Sequence, residues 1–287
     1  MKLVNTKIIL DKARKNNYAV PHININNLEW VKAVLLAGQN KKSPLILATS
    51  EGALRYMGGL KTVYNLVTNL IDFLKIDIPV ALHLDHGSFE TCKEAILAGY
   101  TSVMYDGSAE VFSKNLEKTQ EIVNLAREKN VTVEAEVGQI GGEEDGIIGN
   151  GEIADVNEAI QIAKTGITCL AAGIGNIHGP YPSSWKSLNF EVLAEISEKT
   201  KLPLVLHGGS GLPQDQIQKA IKLGIAKINV NTELQQANAK AITDFVLSGK
   251  IKEGKNFDPR KLLAPGTKAM QELVESKIEE FGSANQA

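Results

Sequence analysis

Eight short β-rich runs alternate with longer amphipathic stretches along this chain, and few folds accept that pattern eight times over. The runs cover residues 18–23, 44–49, 80–85, 102–106, 132–137, 169–174, 203–207 and 226–230. Helical patterns follow at 28–39, 60–74, 90–98, 110–129, 157–165, 190–199, 214–223 and 232–247. Several runs are apolar almost throughout, as parallel strands buried on both faces are. Over 287 residues this alternation predicts an α/β fold, a (β/α)8 TIM barrel forming one domain from residue 1 to residue 287. An open doubly wound sheet would be expected to carry a GxGxxG turn after its first strand. The sequence there is NINN (24–27).

Two pieces fall outside the eight units. TKIILDKARK (6–15) predicts a short helix closing the N-terminal end of the barrel. Residues 258–281, which begin DPRK, predict a C-terminal helical arm used in oligomerisation. One connection is unusual: GQIGGEEDGIIGNG (138–151) sets six glycines around Glu143, Glu144 and Asp145. So much glycine predicts a mobile loop, and a mobile loop carrying carboxylates is often functional.

Histidine is scarce, with five in the chain, yet three end apolar runs. His86 closes VALHLDH, His178 lies in LAAGIGNIHG and His207 in LPLVLHGGSG. In a closed barrel these strand ends share one face, where barrel enzymes place their chemistry. Three imidazoles are also a ligand set for catalytic zinc, with a fourth position open to substrate. Zinc there could act as a Lewis acid on a carbonyl and its neighbouring hydroxyl. Any one of the three alone reads better as a half-buried histidine bonded to backbone; together they favour a metal. His22 and His83 lie within runs and read as core residues, His83 alternatively as a support to a ligand.

Carboxylates gather in the same places. Asp85 and Asp106 end the third and fourth runs, while Glu134 and Glu136 share one face of the fifth. Inside a barrel mouth such groups are costly unless a cation or donors face them. After the seventh run come Gly208, Gly209 and Ser210; after the eighth come Asn229, Val230, Asn231 and Thr232. Loops at these two positions commonly hold phosphate through backbone N–H groups and a helix N-terminus. Thr232 and Asn231 are alternatively plain helix caps.

Bulk properties exclude several classes. A formal charge of −2 gives no sign of nucleic-acid binding. No segment approaches the roughly 20 apolar residues of a membrane span. Cys92 and Cys169 stand outside any CxxC motif, which fits a reducing, cytoplasmic setting.

Taken together, YAVPHININN, SPLILATSEGALRYMGG, HLDHGS, SVMYDGS, VEAEVGQIGGEEDG, GIGNIHGPY, LPLVLHGGSGLP, KINVNTE, FDPRK and EFGSANQA resemble class II, metal-dependent fructose-bisphosphate aldolases over nearly the whole chain. The resemblance implies reversible cleavage of fructose 1,6-bisphosphate into dihydroxyacetone phosphate and glyceraldehyde 3-phosphate. It implies Zn2+ on His86, His178 and His207, polarising the carbonyl and stabilising the enediolate. An alternative metal position at Glu136 and Asp106 would take a second divalent or monovalent cation. Asp85 is implied as acid/base at the C4 oxygen, and Glu144 as the group moving the C3 proton. Asn24, Gly179, Gly208, Gly209, Ser210, Asn229, Val230, Asn231 and Thr232 would bind substrate and the ketone-side phosphate. Ser50 and Arg260 match positions for the distal phosphate, Arg260 reaching from a neighbouring subunit of a homodimer or homotetramer. Relatives often carry a lysine where Pro182 stands, with Lys186 the nearby substitute.

Four rivals differ in testable ways; one, a barrel metal-dependent hydrolase, usually needs an HxH pair early in the chain, where the first run has only His22. Tagatose-1,6-bisphosphate aldolase shares the site but differs at C4, and NVNTE leans toward the fructose ester. A Schiff-base aldolase would use Lys227 and leave the histidines unexplained. A non-catalytic binding protein would show no turnover at all.

Overall fold

The computed structural model describes residues 3–144 and 147–287, apart from the side chains at 144 and 147. Among them, eight parallel strands close into a barrel: β1 (Val20–Asn24), β2 (Leu45–Thr49), β3 (Val80–Gly87), β4 (Ser102–Tyr105), β5 (Thr132–Val137), β8 (Cys169–Ala172), β10 (Leu204–Leu206) and β11 (Ile225–Val230). The remaining strands, β6 (Gly141–Glu144), β7 (Ile147–Gly149) and β9 (Ile177–His178), form a small sheet in the order β7-β6-β9. Helices α2 (Leu28–Lys41), α4 (Leu60–Phe73), α5 (Phe89–Ala98), α6 (Phe112–Glu128), α7 (Val156–Ala163), α8 (Phe190–Thr200), α9 (Gln214–Lys222) and α10 (Thr232–Leu247) alternate with the barrel strands. A short α3 (Glu51–Met57), absent from the sequence expectation, precedes α4. Side-chain caps set several starts: Asn27, Ser50, Ser88, Asp155 and Asn189 each accept a backbone N–H from the turn they open. No described helix is long and apolar enough to cross a membrane.

Period-two alternation sorts each strand into an outward and an inward set. Leu82, Leu84, Val103, Val133 and Ile228 face the helices and belong to the large core. Val20, Ile46, Ala81, Met104, Ala171 and Val205 face inward and pack with Ile9, Leu10 and Ala13 of α1 (Thr6–Asn16). This helix closes the N-terminal end, as expected. Further along the strands the inward positions turn polar: His22, His83, Glu134 and Lys227, then Asn24, Asp85, Glu136, His207 and Asn229, all buried. A stable barrel tolerates so many buried polar groups only where they pair or serve chemistry.

Two segments outside the eight units take a definite form. The glycine-rich connection contains β6 and β7, which pair antiparallel, and β6 also pairs with β9. Asp145 lies outside the described residues. The C-terminal segment forms α11 (Pro259–Leu262) and α12 (Ala264–Glu280), and α12 folds back against α2 and α10 of its own barrel. Met270, Val274, Ile278 and Phe281 are fully buried there, each contributing roughly 1.5–3 kcal/mol by removal from water.

Candidate active site and metal centre

Asp85 and His86 are neighbours in sequence, so simple alternation would send them to opposite faces of β3. Asp85 takes the inward direction of Ala81 and His83. The backbone changes direction at His86, which has φ +48, and the β3–β4 register shifts between Leu84 and Gly87. A bulge with one residue in the left-handed region costs on the order of 1 kcal/mol, but it re-aims a side chain. Here it swings the His86 ring into the mouth beside His207.

Three ring nitrogens then converge. His86 Nε2 lies 3.0 Å from His207 Nδ1, and His178 Nε2 lies 3.5 Å from the same atom. The opposite nitrogens of two rings are committed to carboxylates. His86 Nδ1 donates to Asp106 Oδ2 at 2.7 Å, and His207 Nε2 donates to Glu134 Oε1 at 2.9 Å. The Glu134 bond leaves His207 Nδ1 as a lone pair, and the Asp106 bond directs His86 Nε2 at it, the arrangement of a metal-binding histidine supported from behind. Lone pairs of separate rings repel at this distance unless a proton or metal cation stands between them. The donor set fits a divalent metal of the zinc type.

The electrostatics match. Burial drives His207 down to about 4 and, with His86 and His207 beside it, holds His178 well below the usual range; both are neutral. Burial also opposes the charged form of His86, but Asp85 and then Asp106 outweigh it and raise His86 to about 10. Glu136 lies in a second group of metal-ligand geometry with His86 and Asp106. Its Oε1 accepts from Ile140 N at 3.2 Å, whereas the buried Oε2 has no hydrogen-bond partner. Burial, reinforced by Asp106, pushes Glu136 well above the carboxylate range, so a cation beside it would relieve a real cost.

Asp85 is buried next to these histidines. Asn24 Nδ2 donates to its Oδ2 at 3.0 Å, and Asn229 Nδ2 reaches Oδ1 at 3.4 Å. Burial favours the neutral acid, but His22, His86 and His207 hold Asp85 well below its ordinary value. It stands ionised, able to take a proton.

The loop bearing His178 is fastened to the one bearing His207. Asn176 Nδ2 donates to His207 O at 3.1 Å, and Tyr181 Oη donates to Gly208 O at 2.8 Å while accepting from Ile177 N at 3.1 Å. The contact requires glycine at two places: at Gly208 (φ +65) a Cβ would strike the Ile177 carbonyl, and at Gly142 (φ +86) the His178 carbonyl.

The family profile "Fructose-bisphosphate aldolase class-II" matches residues 4–286. The chain belongs to that family. The fructose-bisphosphate aldolase of Mycoplasma pneumoniae is 54% identical over 287 residues, covering 99% of this chain and 100% of that one. The enzyme of the same name from Streptococcus pyogenes serotype M3 is 52% identical over 293 residues, with both chains fully covered. Among solved structures, the YdjI aldolase of Escherichia coli K12 superposes with a TM-score of 0.83 at 31% identity, covering 99% of each chain. Membership makes this chain a lyase of a metal-dependent class.

The family member's remaining candidates divide clearly. A small cavity is lined by Asn24, Asp85, His178, Gly179, Gly208, Ser210, Asn229, Asn231 and Thr232, so the segments after β10 and β11 meet beside Asp85. Asn231 holds the cap position and Thr232 opens α10. Gly209 supports this wall by donating its N–H to Asn229 O at 2.9 Å, while the Val230 side chain joins the outer core. A cleft of about 410 Å³ adjoins, with Ser50, His86, Asp106, Glu136 and His178 on its walls. Glu144 ends β6; its side chain lies outside the described atoms. Glu143 lines a third cavity with Asn24 and Ser50. Arg260 stands apart, 88% exposed and paired with Asp258 at 2.6 Å. Lys186 is likewise exposed and lines none of these three cavities. Sequence reasoning missed the part of Lys227, whose Nζ lies 2.7 Å from Glu134 Oε2; a lone lysine in an apolar run was its only signal. It also missed Tyr181 and Asn176, which sit inside the GIGNIHGPY segment.

Proposed function

We propose that this chain cleaves fructose 1,6-bisphosphate reversibly into dihydroxyacetone phosphate and glyceraldehyde 3-phosphate, as a zinc-dependent aldolase of cytoplasmic glycolysis and gluconeogenesis. The convergence of His86 Nε2, His178 Nε2 and His207 Nδ1 supports this reading most strongly. When bound there, zinc supplies a fixed positive charge that polarises the ketone and offsets negative charge developing on its oxygens. Glu136 and Asp106 offer an adjoining position for a second cation.

Asp85 takes the proton of the C4 hydroxyl in cleavage and returns it in condensation. Its ionised state suits a base, and the Asn24 and Asn229 amides keep its oxygens aimed. Glu144 moves the proton at C3 of dihydroxyacetone phosphate, and the hairpin carrying it shields that carbon from water. Gly179, Gly208, Ser210, Asn231 and Thr232 hold the ketone-side phosphate at the N-terminus of α10, where backbone donors favour an anion. Ser50 takes the distal phosphate. The exposure of Arg260 suits a residue that completes this subsite in a neighbouring subunit, which requires a homodimer or homotetramer.

The test is metal content with activity. One zinc per chain, removed by chelation together with fructose 1,6-bisphosphate cleavage, is expected. Full activity in verified metal-free protein would contradict the reading.

A further inference from the structure

Lys227 is a buried cation with no part in the proton transfers above. It lies inside the barrel and is fully inaccessible, where an ammonium is costly unless paired. Its Nζ donates to Glu134 Oε2 at 2.7 Å, and the other carboxylate oxygen accepts from His207 Nε2 at 2.9 Å. The three side chains come from β11, β5 and the residue after β10, so the relay ties three strands into one unit. Its far end is a candidate metal ligand.

The direction of this relay matters. A carboxylate only accepts, so the imidazole N–H stands on His207 Nε2 and the lone pair on Nδ1. Asn229 Nδ2, a donor, lies 3.2 Å from that Nδ1 and 3.4 Å from Nε2. Few other groups hold the carboxylate. Cys169 Sγ donates weakly to Oε2 at 3.4 Å, and His83 Nε2 is 3.8 Å away. Lys227 is therefore the one strong donor fixing the end of Glu134 that His207 does not touch, among the described residues.

We propose that Lys227 is a positioning residue of the metal centre, anchoring Glu134 so that the ring and tautomer of His207 are set before metal binds. The inference rests on the zinc reading above. It gives Lys227 a role in metal affinity that requires no contact with substrate.

The experiment measures zinc dissociation constants on the full chain by competition with a chromophoric chelator, together with the visible spectrum after cobalt(II) replaces zinc. For Lys227→Met with an unchanged far-ultraviolet circular dichroism spectrum, zinc should bind about 10–100-fold more weakly, the usual cost of losing a ligand's support. The cobalt bands should shift with the altered ligand geometry. Should that variant fail to fold, Lys227→Met/Glu134→Gln removes both charges at once, an exchange that buried pairs often tolerate, and the same weakening is expected. An unchanged zinc constant with an unchanged cobalt spectrum in a folded variant would overturn the role of Lys227 alone. Unmodified protein that takes up no zinc would overturn the reading beneath it.

Discussion

His86 Nε2 and His207 Nδ1 face each other across 3.0 Å, and each ring is turned by a carboxylate on its opposite side. In metal-free protein a proton on His86 bridges the gap, because Asp85 and Asp106 overcome burial and raise this imidazole to about 10. Metal must displace that proton. Below about pH 10 the free protein carries it and the complex does not, so binding releases a proton and rising pH favours the complex. The zinc dissociation constant should fall about tenfold per unit between roughly pH 6 and 8. A flat profile would show that no proton leaves.

Replacing His207 with alanine should abolish stoichiometric zinc, because the ring supplies the nitrogen on which the other two converge. Metal analysis of the purified, folded variant checks this. One zinc per chain in His207→Ala would remove the residue from the ligand set.

Asp85→Ala should separate metal binding from turnover. The ligands remain, so zinc content should be normal, while kcat for cleavage falls by about 10²- to 10⁴-fold, the usual contribution of a positioned acid/base. Near-normal kcat would assign the C4 proton to another group.

Glu144→Ala should slow exchange of the C3 proton of dihydroxyacetone phosphate into water, read as tritium washout from labelled substrate. Unchanged exchange would rule Glu144 out. Glu143, which lines the cavity with Asn24 and Ser50, would then be the residue to replace.

The barrel was legible in the sequence because its strands carry continuous apolar runs and its helices the 3.6-residue period. The strand-end histidines were legible for the same reason: each follows a run whose end is easy to mark. What stayed hidden depends on departures from regular geometry. Alternation alone would place His86 outside the barrel, and only its positive φ and the register shift after Leu84 bring it in. Lys227 was hidden differently. Its partner Glu134 is 93 residues away, and no local pattern pairs two charges across a closed barrel. The packing of the C-terminal helix was hidden in the same way, because α2, against which α12 lies, comes from the other end of the chain.

The most direct test is a coupled assay of fructose and tagatose 1,6-bisphosphate cleavage, before chelation, after it, and with zinc restored. The account predicts cleavage of the fructose ester that disappears with the metal and returns with zinc. Preference for the tagatose ester would keep the mechanism and change the substrate. Cleavage that persists after verified metal removal would contradict the three-histidine centre itself.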